Sequence, residues 1–473
     1  MVSVRQKMTP AQLSGLAAMM LGTLVIANDF TALNVALPAI EKTFDTDVTT
    51  AQWVITGYAL VFGVSIVTAG RLADMFGRRR IFFIGMTIFA LFSLIGALAT
   101  DIWMLLIARV IMGIGGAMVW PAMLGITYNL LPVEKVALAG GLFMGFTGIG
   151  NAMGPMLGGA FTEYLSWRWI FYINVPVAAI AILVTLWVVP KDRVDDIEKT
   201  VDYLGIISLS LGLLALLLVL DIGTELGWFS PVILGLLGLS VAAFCVFAMM
   251  ERRGGPGVLV PREILMNKAF STVILVILTL NAVYFAALFF LPQFMVKELG
   301  YSAAQAGAGL LPILLVFAGT SFIAGPLYIR LGPKLMVTIG AFCLTLSMLL
   351  LSFLEATTPY SGLVPGMIIL GAGLGFFYAA TTTAGITLID PAKASLAGAI
   401  ILMFQDAGGA IGLGLNTAVV VTAPTLIEGI SRAFIMDAVL GAIGVVICLA
   451  LVDGPVTRER ITAFFRKEKQ DAE

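Results

Sequence analysis

Long apolar stretches separated by short polar ones run from end to end of this chain. A helix rising about 1.5 Å per residue needs about 20 apolar residues to cross the hydrocarbon of a bilayer. Runs of that size predict fourteen spans, at roughly 14–36, 51–70, 81–100, 102–129, 137–162, 169–189, 203–221, 230–249, 271–294, 305–329, 333–354, 362–386, 394–422 and 433–452. Most connections between them are short. The first run is too long for a signal-peptide core and no small-residue cleavage pattern follows it, so it is expected to stay as the first span.

Composition agrees with a bilayer protein: 60% of the 473 residues are hydrophobic and 12% are charged. The formal net charge of −1 hides a strong sorting of the charges and indicates no nucleic-acid partner. With both termini placed inside, only Lys42, Arg168, Lys297 and Arg432 fall outside and Arg109 lies within a span. All the rest of the 27 Lys and Arg are then cytoplasmic, which is the bias that orients membrane proteins. Trp53, Trp103, Trp167, Trp169 and Trp228 fall near the outer interface in the same arrangement, as an aromatic belt does. The expected location is the cell membrane, with membrane lipid around a chain that works as a monomer.

Histidine is absent, which removes the side chain most used for proton transfer near neutral pH and for metal ligation. Proton chemistry then falls to carboxylates, and neither a metal site nor a cofactor is expected. Cys245, Cys343 and Cys448 lie far apart in apolar runs and read as small core residues rather than as a disulfide framework.

A shift of about 254 residues superposes several unlike features, the mark of an ancient duplication. Leu37-Pro38 answers Leu291-Pro292, and Ala51-Gln52 answers Ala304-Gln305. GRLADMFGRRR, from Gly70 to Arg80, is echoed by GPLYIRLGPKL, from Gly325 to Leu335. Gly154 and Gly158 map onto Gly408 and Gly412. The expected organisation is a six-helix N-terminal bundle over 1–190, two inserted helices with polar connectors over 191–268, a second six-helix bundle over 269–453 and a cytoplasmic tail over 454–473. Two facing repeats put a binding site near the bilayer midplane at their interface, where rocking gives alternating access.

Several motifs, in order along nearly the whole chain, carry a family resemblance. They are DFTALNVALP from Asp29, GRLADMFGRRR from Gly70, LLIARVIMGIGGA from Leu105, GNAMGPMLGG from Gly150, WRWIFYINVP from Trp167 and LPQFMVKELGYSAAQAGAGLLP from Leu291. The chain resembles the major facilitator superfamily, specifically its fourteen-span drug:proton antiporters of the quaternary-ammonium and multidrug type. The resemblance implies an all-α fold of two six-helix bundles plus two inserted helices. It also implies that the 70–80 loop latches the cytoplasmic gate through Gly70, Asp74, Gly77, Arg78 and Arg79. Met75 and Met112 depart from the family pattern, and so does Asp406, where the family commonly has glutamine.

The residues themselves point the same way. Asp29 lies about nine residues, roughly 13 Å, below Pro38, and Arg109 about seven residues, roughly 10 Å, below the outer end of its span. A charge at that depth costs a few kcal/mol or more and marks a functional position. The pair is expected to meet, with Asn28 as a further hydrogen-bonding neighbour, so that their separation sets when Asp29 takes a proton. A static structural ion pair is the other reading. Asp406, about 12 residues and 18 Å into span 13, reads as a second proton or cation site in the C-terminal bundle. Asn28, Asn34 and Gln405 are the expected polar lining of a substrate cavity. Gly150, Gly154, Gly158 and Gly159, with Pro155 between them, allow close helix approach and a kink in span 5. Asp221 and Asp437 lie nearer the outer span ends and read as solvated or interfacial.

No GxxxxGK[ST] phosphate loop is present, which speaks against ATP as the driving force. The expected function is proton-driven export of a small lipophilic, cationic compound, with protons as the coupled partner. Proton symport of another solute is the alternative within transport. An enzyme or assembly protein on the same scaffold is the alternative outside it, weakened by the lack of histidine, a metal constellation or a large soluble domain.

Overall fold

The computed structural model describes residues 8–131, 137–190, 202–253 and 259–452. The connector from Lys191, the stretch around Gly254 and the tail 454–473 lie outside them, as does the side chain of Asp221. The described residues form helices and no strands: α1 (Pro10–Phe44), α2 (Val48–Phe76), α3 (Arg78–Ala97), α4 (Ile102–Leu130), α5 (Ala137–Tyr164), α6 (Trp169–Tyr172), α7 (Asn174–Val188) and α8 (Tyr203–Leu226). The chain continues through α9 (Pro231–Arg253), α10 (Arg262–Leu265), α11 (Lys268–Lys297), α12 (Ala303–Gly309), α13 (Leu311–Leu351), α14 (Tyr360–Thr387), α15 (Ala394–Val421) and α16 (Leu426–Leu451). Among these residues, eleven helical stretches are long and apolar enough to cross a membrane.

Polar residues at the ends of the apolar runs start the helices by accepting free backbone N–H groups. Thr9 closes a capping box with Gln12 before α1, and Ser302 does so with Gln305 before α12. Asp47, Asp101, Asp202, Asn267 and Thr425 cap α2, α4, α8, α11 and α16.

The duplication is visible in the backbone. Gly77, at φ 101°, turns α2 into α3 without a linker. Gly332, at φ 78°, makes the same break inside the 41-residue α13, just before Pro333. Both sit in the left-handed region that a side chain resists and glycine does not. Each glycine therefore separates two helices that the apolar pattern alone would join.

Within the first half α1 packs on α5, and α4 on α2 and α3; within the second α11 packs on α15, and α13 on α14. The halves meet along two lines, α5 against α13 and α2 against α15, while α8 and α9 pair and α8 leans on α2 and α15. Of the cysteines, Cys448 is buried, but Cys245 is exposed on α9, an outward-facing position rather than a core one.

Candidate functional site

Asp29 and Arg109 are 0% and 1% exposed and joined by a 2.5 Å ion pair from Nη1 to Oδ2. The guanidinium is held on three sides, because Nε donates to the Val54 carbonyl at 2.8 Å and its carbon lies 4.0 Å from the centre of the Tyr58 ring. The other carboxylate oxygen accepts from Asn174 Nδ2 at 3.1 Å, and that nitrogen also donates to Ser93 Oγ at 3.1 Å. Ser93 passes its own hydrogen to the Phe171 carbonyl at 2.9 Å. Helices α1, α2, α3, α4 and α7 thus converge on one carboxylate. Breaking such a buried pair leaves a bare charge in a low-dielectric interior.

Matching depths bring Asp29 and Arg109 together, but the amide beside them is Asn174 and not Asn28. Asn28 is 7% exposed and its Oδ1 has no partner, because its side chain points off a different face of α1. Asn174, Ser93 and Tyr58 escape the sequence reading. The signal for Asn174 was present, since it is the polar residue inside WRWIFYINVP.

Asp406 lies elsewhere. It sits near the middle of the 28-residue α15 and is nevertheless exposed, on the side of α15 that approaches α2. A Cβ built on Gly63 of α2 would lie 4.0 Å from its Oδ2. Among the described residues no Lys or Arg pairs with it. On the neighbouring helices Tyr378 donates to Asn281 Oδ1 and hydrogen-bonds to Tyr284, the two rings standing edge to face at 5.9 Å. Gln405 is buried with Nε2 unpartnered, whereas Asn34 is exposed and donates to Thr31 of its own helix at 3.3 Å.

The 70–80 loop joins the halves at the side of the molecule where α1 begins. Asp74 Oδ2 accepts from the Leu396 amide at 2.8 Å, and Oδ1 accepts from the Ser395 amide at 3.2 Å and from Arg78 Nε at 3.0 Å. Those amides are free because they open α15, where the helix dipole also favours an anion. Arg78 reaches onward to the Pro391 carbonyl at 2.5 Å. Gly70 admits α15, since a Cβ there would sit 2.6 Å from Ala399 Cβ and 2.8 Å from the Ser395 carbonyl. Arg79 turns away and donates to the Leu186 carbonyl at 2.7 Å.

The glycines of α5 press α1. A Cβ at Gly150 would meet Ala27 Cβ at 2.7 Å, one at Gly154 would meet Thr31 Cβ at 2.8 Å, and one at Gly158 would overlap the Ala32 carbonyl oxygen. Pro155 lies inside the helix, and at Gly159 the nearest atom would be Val35 Cγ1 at 3.7 Å. The second repeat packs alike, with one correction. Gly408 faces the Leu278 carbonyl and Asn281, as Gly150 faces the Leu24 carbonyl and Ala27, so Gly408 is the counterpart of Gly150 rather than of Gly154. Glycines recurring every four residues let an alignment slip by one helical turn. Gly154→Val is expected to destabilise the protein by about 1–3 kcal/mol through overpacking, read as a lower thermal unfolding temperature. Gly159→Ala is expected to leave that temperature unchanged.

The sequence matches the family described as Major Facilitator Superfamily over residues 19–413. It is 33% identical to "Puromycin resistance protein pur8" of Streptomyces alboniger over 434 residues, 90% of this chain and 84% of the relative. It is 30% identical to "Multidrug resistance protein Stp" of Mycobacterium tuberculosis, covering 86% of this chain and 76% of that one. With "Methylenomycin A resistance protein" of Bacillus subtilis the identity is 28%, over 97% of this chain and 99% of the other. The fold is similar to that of the human organic anion transporter MFSD10, at TM-score 0.69 and 15% identity, over 93% of this chain and all of that one. The match along most of the sequence, the relatives and the two-fold helical build together settle the class: the chain belongs to the major facilitator superfamily and is a multi-pass membrane transporter rather than an enzyme.

Proposed function

We propose that the protein is a proton-coupled exporter of small lipophilic cations, working by alternating access. The observation that carries this reading is Asp406, an exposed carboxylate at the middle of α15, close to α2, with no basic partner among the described residues. An unpaired acid in an aromatic, tyrosine-lined setting attracts either a proton or an organic cation, and one site that takes both in turn is an exchanger. Relatives named for resistance to puromycin, to methylenomycin A and to multiple drugs support export as the direction. Asp29 and Arg109 form the second half of the coupling apparatus, a buried ion pair, braced by Asn174, that opens and closes during the cycle.

In this reading the chain crosses the cell membrane fourteen times, as the quaternary-ammonium type of exporter does. The crossings beyond the eleven are α5, α8 and the part of α13 that follows Gly332. Both termini are cytoplasmic. Residues 1–190 and 269–453 form the two bundles, 191–268 carries the inserted pair and 454–473 is a tail. The joined side of the molecule is then the closed cytoplasmic gate, with Asn28, Asn34 and Gln405 along the substrate path. A single copy suffices, with lipid around it.

The test is ethidium efflux from proteoliposomes under an imposed pH gradient. Asp406→Asn is expected to lose ethidium movement altogether, while Asp29→Asn is expected to bind ethidium but no longer to respond to the gradient. Wild-type vesicles that move ethidium at the same rate with and without the gradient would refute proton coupling.

A further inference from the structure

Asp437, expected from its place in the sequence to be solvated or interfacial, is 0% exposed. It belongs to neither the Asp29 pair nor the space around Asp406. Its α16 face is apolar: Ala433, Phe434, Ala438, Gly441, Gly444 and Cys448 are all buried. A Cβ on Gly441 would meet Thr345 of α13 at 2.6 Å, and one on Gly444 would meet Leu280 of α11 at 2.6 Å, so that face is sealed by its neighbours. One polar group answers it. Asn416 of α15, also 0% exposed, donates from Nδ2 to Asp437 Oδ1 at 3.0 Å and to the Gly412 carbonyl at 2.8 Å.

Those two bonds use both amide hydrogens and fix which way the amide points, since a flipped Asn416 would set oxygen against two acceptors. What remains is two buried oxygens without partners, Asp437 Oδ2 and Asn416 Oδ1. Neither meets a hydrogen-bond donor among the described residues. Among the described residues no Lys or Arg pairs with Asp437. The charged and titratable residues on the helices packed against it are Lys268, Tyr284 and Lys297 on α11, Tyr328, Arg330, Lys334 and Cys343 on α13, and Asp406 on α15. None of their side chains hydrogen-bonds to it; among the described residues Asn416 alone does. An ionised carboxylate in such a place is strongly disfavoured, with nothing to offset its loss of water. Two free oxygens also fall short of the shell that a hard metal cation gathers.

We propose that Asp437, oriented by Asn416, is a proton-binding site inside the C-terminal bundle. The proton sits on Oδ2, while Oδ1 stays the carbonyl oxygen that accepts from Asn416. Loading is a single transfer: an O–H bond of a hydronium ion breaks as the Oδ2–H bond forms, water leaves and one negative charge is neutralised. The site is seated where α15 meets α16. That same α15 is held by Asp74 at its first turn and carries Asp406 at its middle, so a displacement of α15 opens this site as well.

The deciding measurement is infrared spectroscopy of the full chain in lipid vesicles at neutral pH, in the region of protonated carboxyl C=O stretching. Wild type is expected to show a band that Asp437→Asn, nearly identical in shape, lacks. Asn416→Ala is expected to keep that band at higher wavenumber, because Oδ1 has lost its donor. Superimposable spectra of wild type and Asp437→Asn would overturn the proposal. If Asp437→Asn fails to fold, Asn416→Ala decides: a band that moves supports the site, and one at the wild-type frequency overturns it.

Discussion

Arg109→Ala is expected to abolish gradient-driven export and to destabilise the folded protein by about 3–5 kcal/mol, the usual cost of stripping one partner from a buried ion pair. The loss arises from what stays behind. Asp29 would keep the Asn174 hydrogen bond at 3.1 Å but face an apolar gap where the guanidinium packed on Tyr58. Changing both partners to similarly sized apolar residues, Asp29→Leu with Arg109→Met, removes the bare charge and is expected to recover most of the stability. Transport is expected not to return with it. That divergence separates a coupling pair from a static one: if the double variant exports at the wild-type rate, the pair is structural. Thermal unfolding in detergent and ethidium efflux from the same preparations give the two readings.

Asp74→Ala is expected to unlatch the joined side. It removes two hydrogen bonds that cross between the halves, to Ser395 and Leu396, together with the anchor of Arg78. Hydrogen bonds to a charged group contribute about 1.5–3 kcal/mol each, so the ratio of closed to open molecules is expected to fall by about a hundredfold or more. Spin labels at Arg80→Cys and Ala392→Cys, both exposed and flanking the latch, in a background without the three native cysteines, report the separation directly. A longer distance in Asp74→Ala is the expected outcome. An unchanged distribution would show that apolar packing around Gly70 holds this side by itself.

Helix positions, the internal repeat and the depth of the two opposed charges were legible because each depends on counting along one helix. A rise of about 1.5 Å per residue converts sequence position to depth, and depth was enough to pair Asp29 with Arg109. What counting along a helix leaves open is which way a side chain points around it. Asn28 shows this, since it adjoins Asp29 in the sequence yet faces away from the pair; Asp437 differs, because α16 begins at Leu426, well before the 433–452 run predicts, and so sets it near the middle of the helix rather than near its outer end. The latch was half legible. Asp74 and Arg78 stand out in GRLADMFGRRR, but the acceptor's partners are backbone amides of Ser395 and Leu396, which leave no mark in the sequence. Asn174 is a third kind of case, a neutral amide inside WRWIFYINVP whose partners, Asp29 and Ser93, lie on other helices and so leave no mark in its own motif.

The two lines along which the halves meet differ in kind. The α2 and α15 line is pinned by directional bonds from Asp74. Along α5 and α13, Gly141, Gly145 and Gly148 lie against Ser321, Phe322, Phe317 and Ala318, with no side-chain hydrogen bond between the two helices among the described residues. A contact of smooth surfaces, with nothing to tear, rolls at little cost, whereas a pinned one must be released. The α5 and α13 line is therefore the axle of the molecule and the α2 and α15 line its clasp, and substitutions on the axle should slow turnover without changing which side the cavity faces at rest.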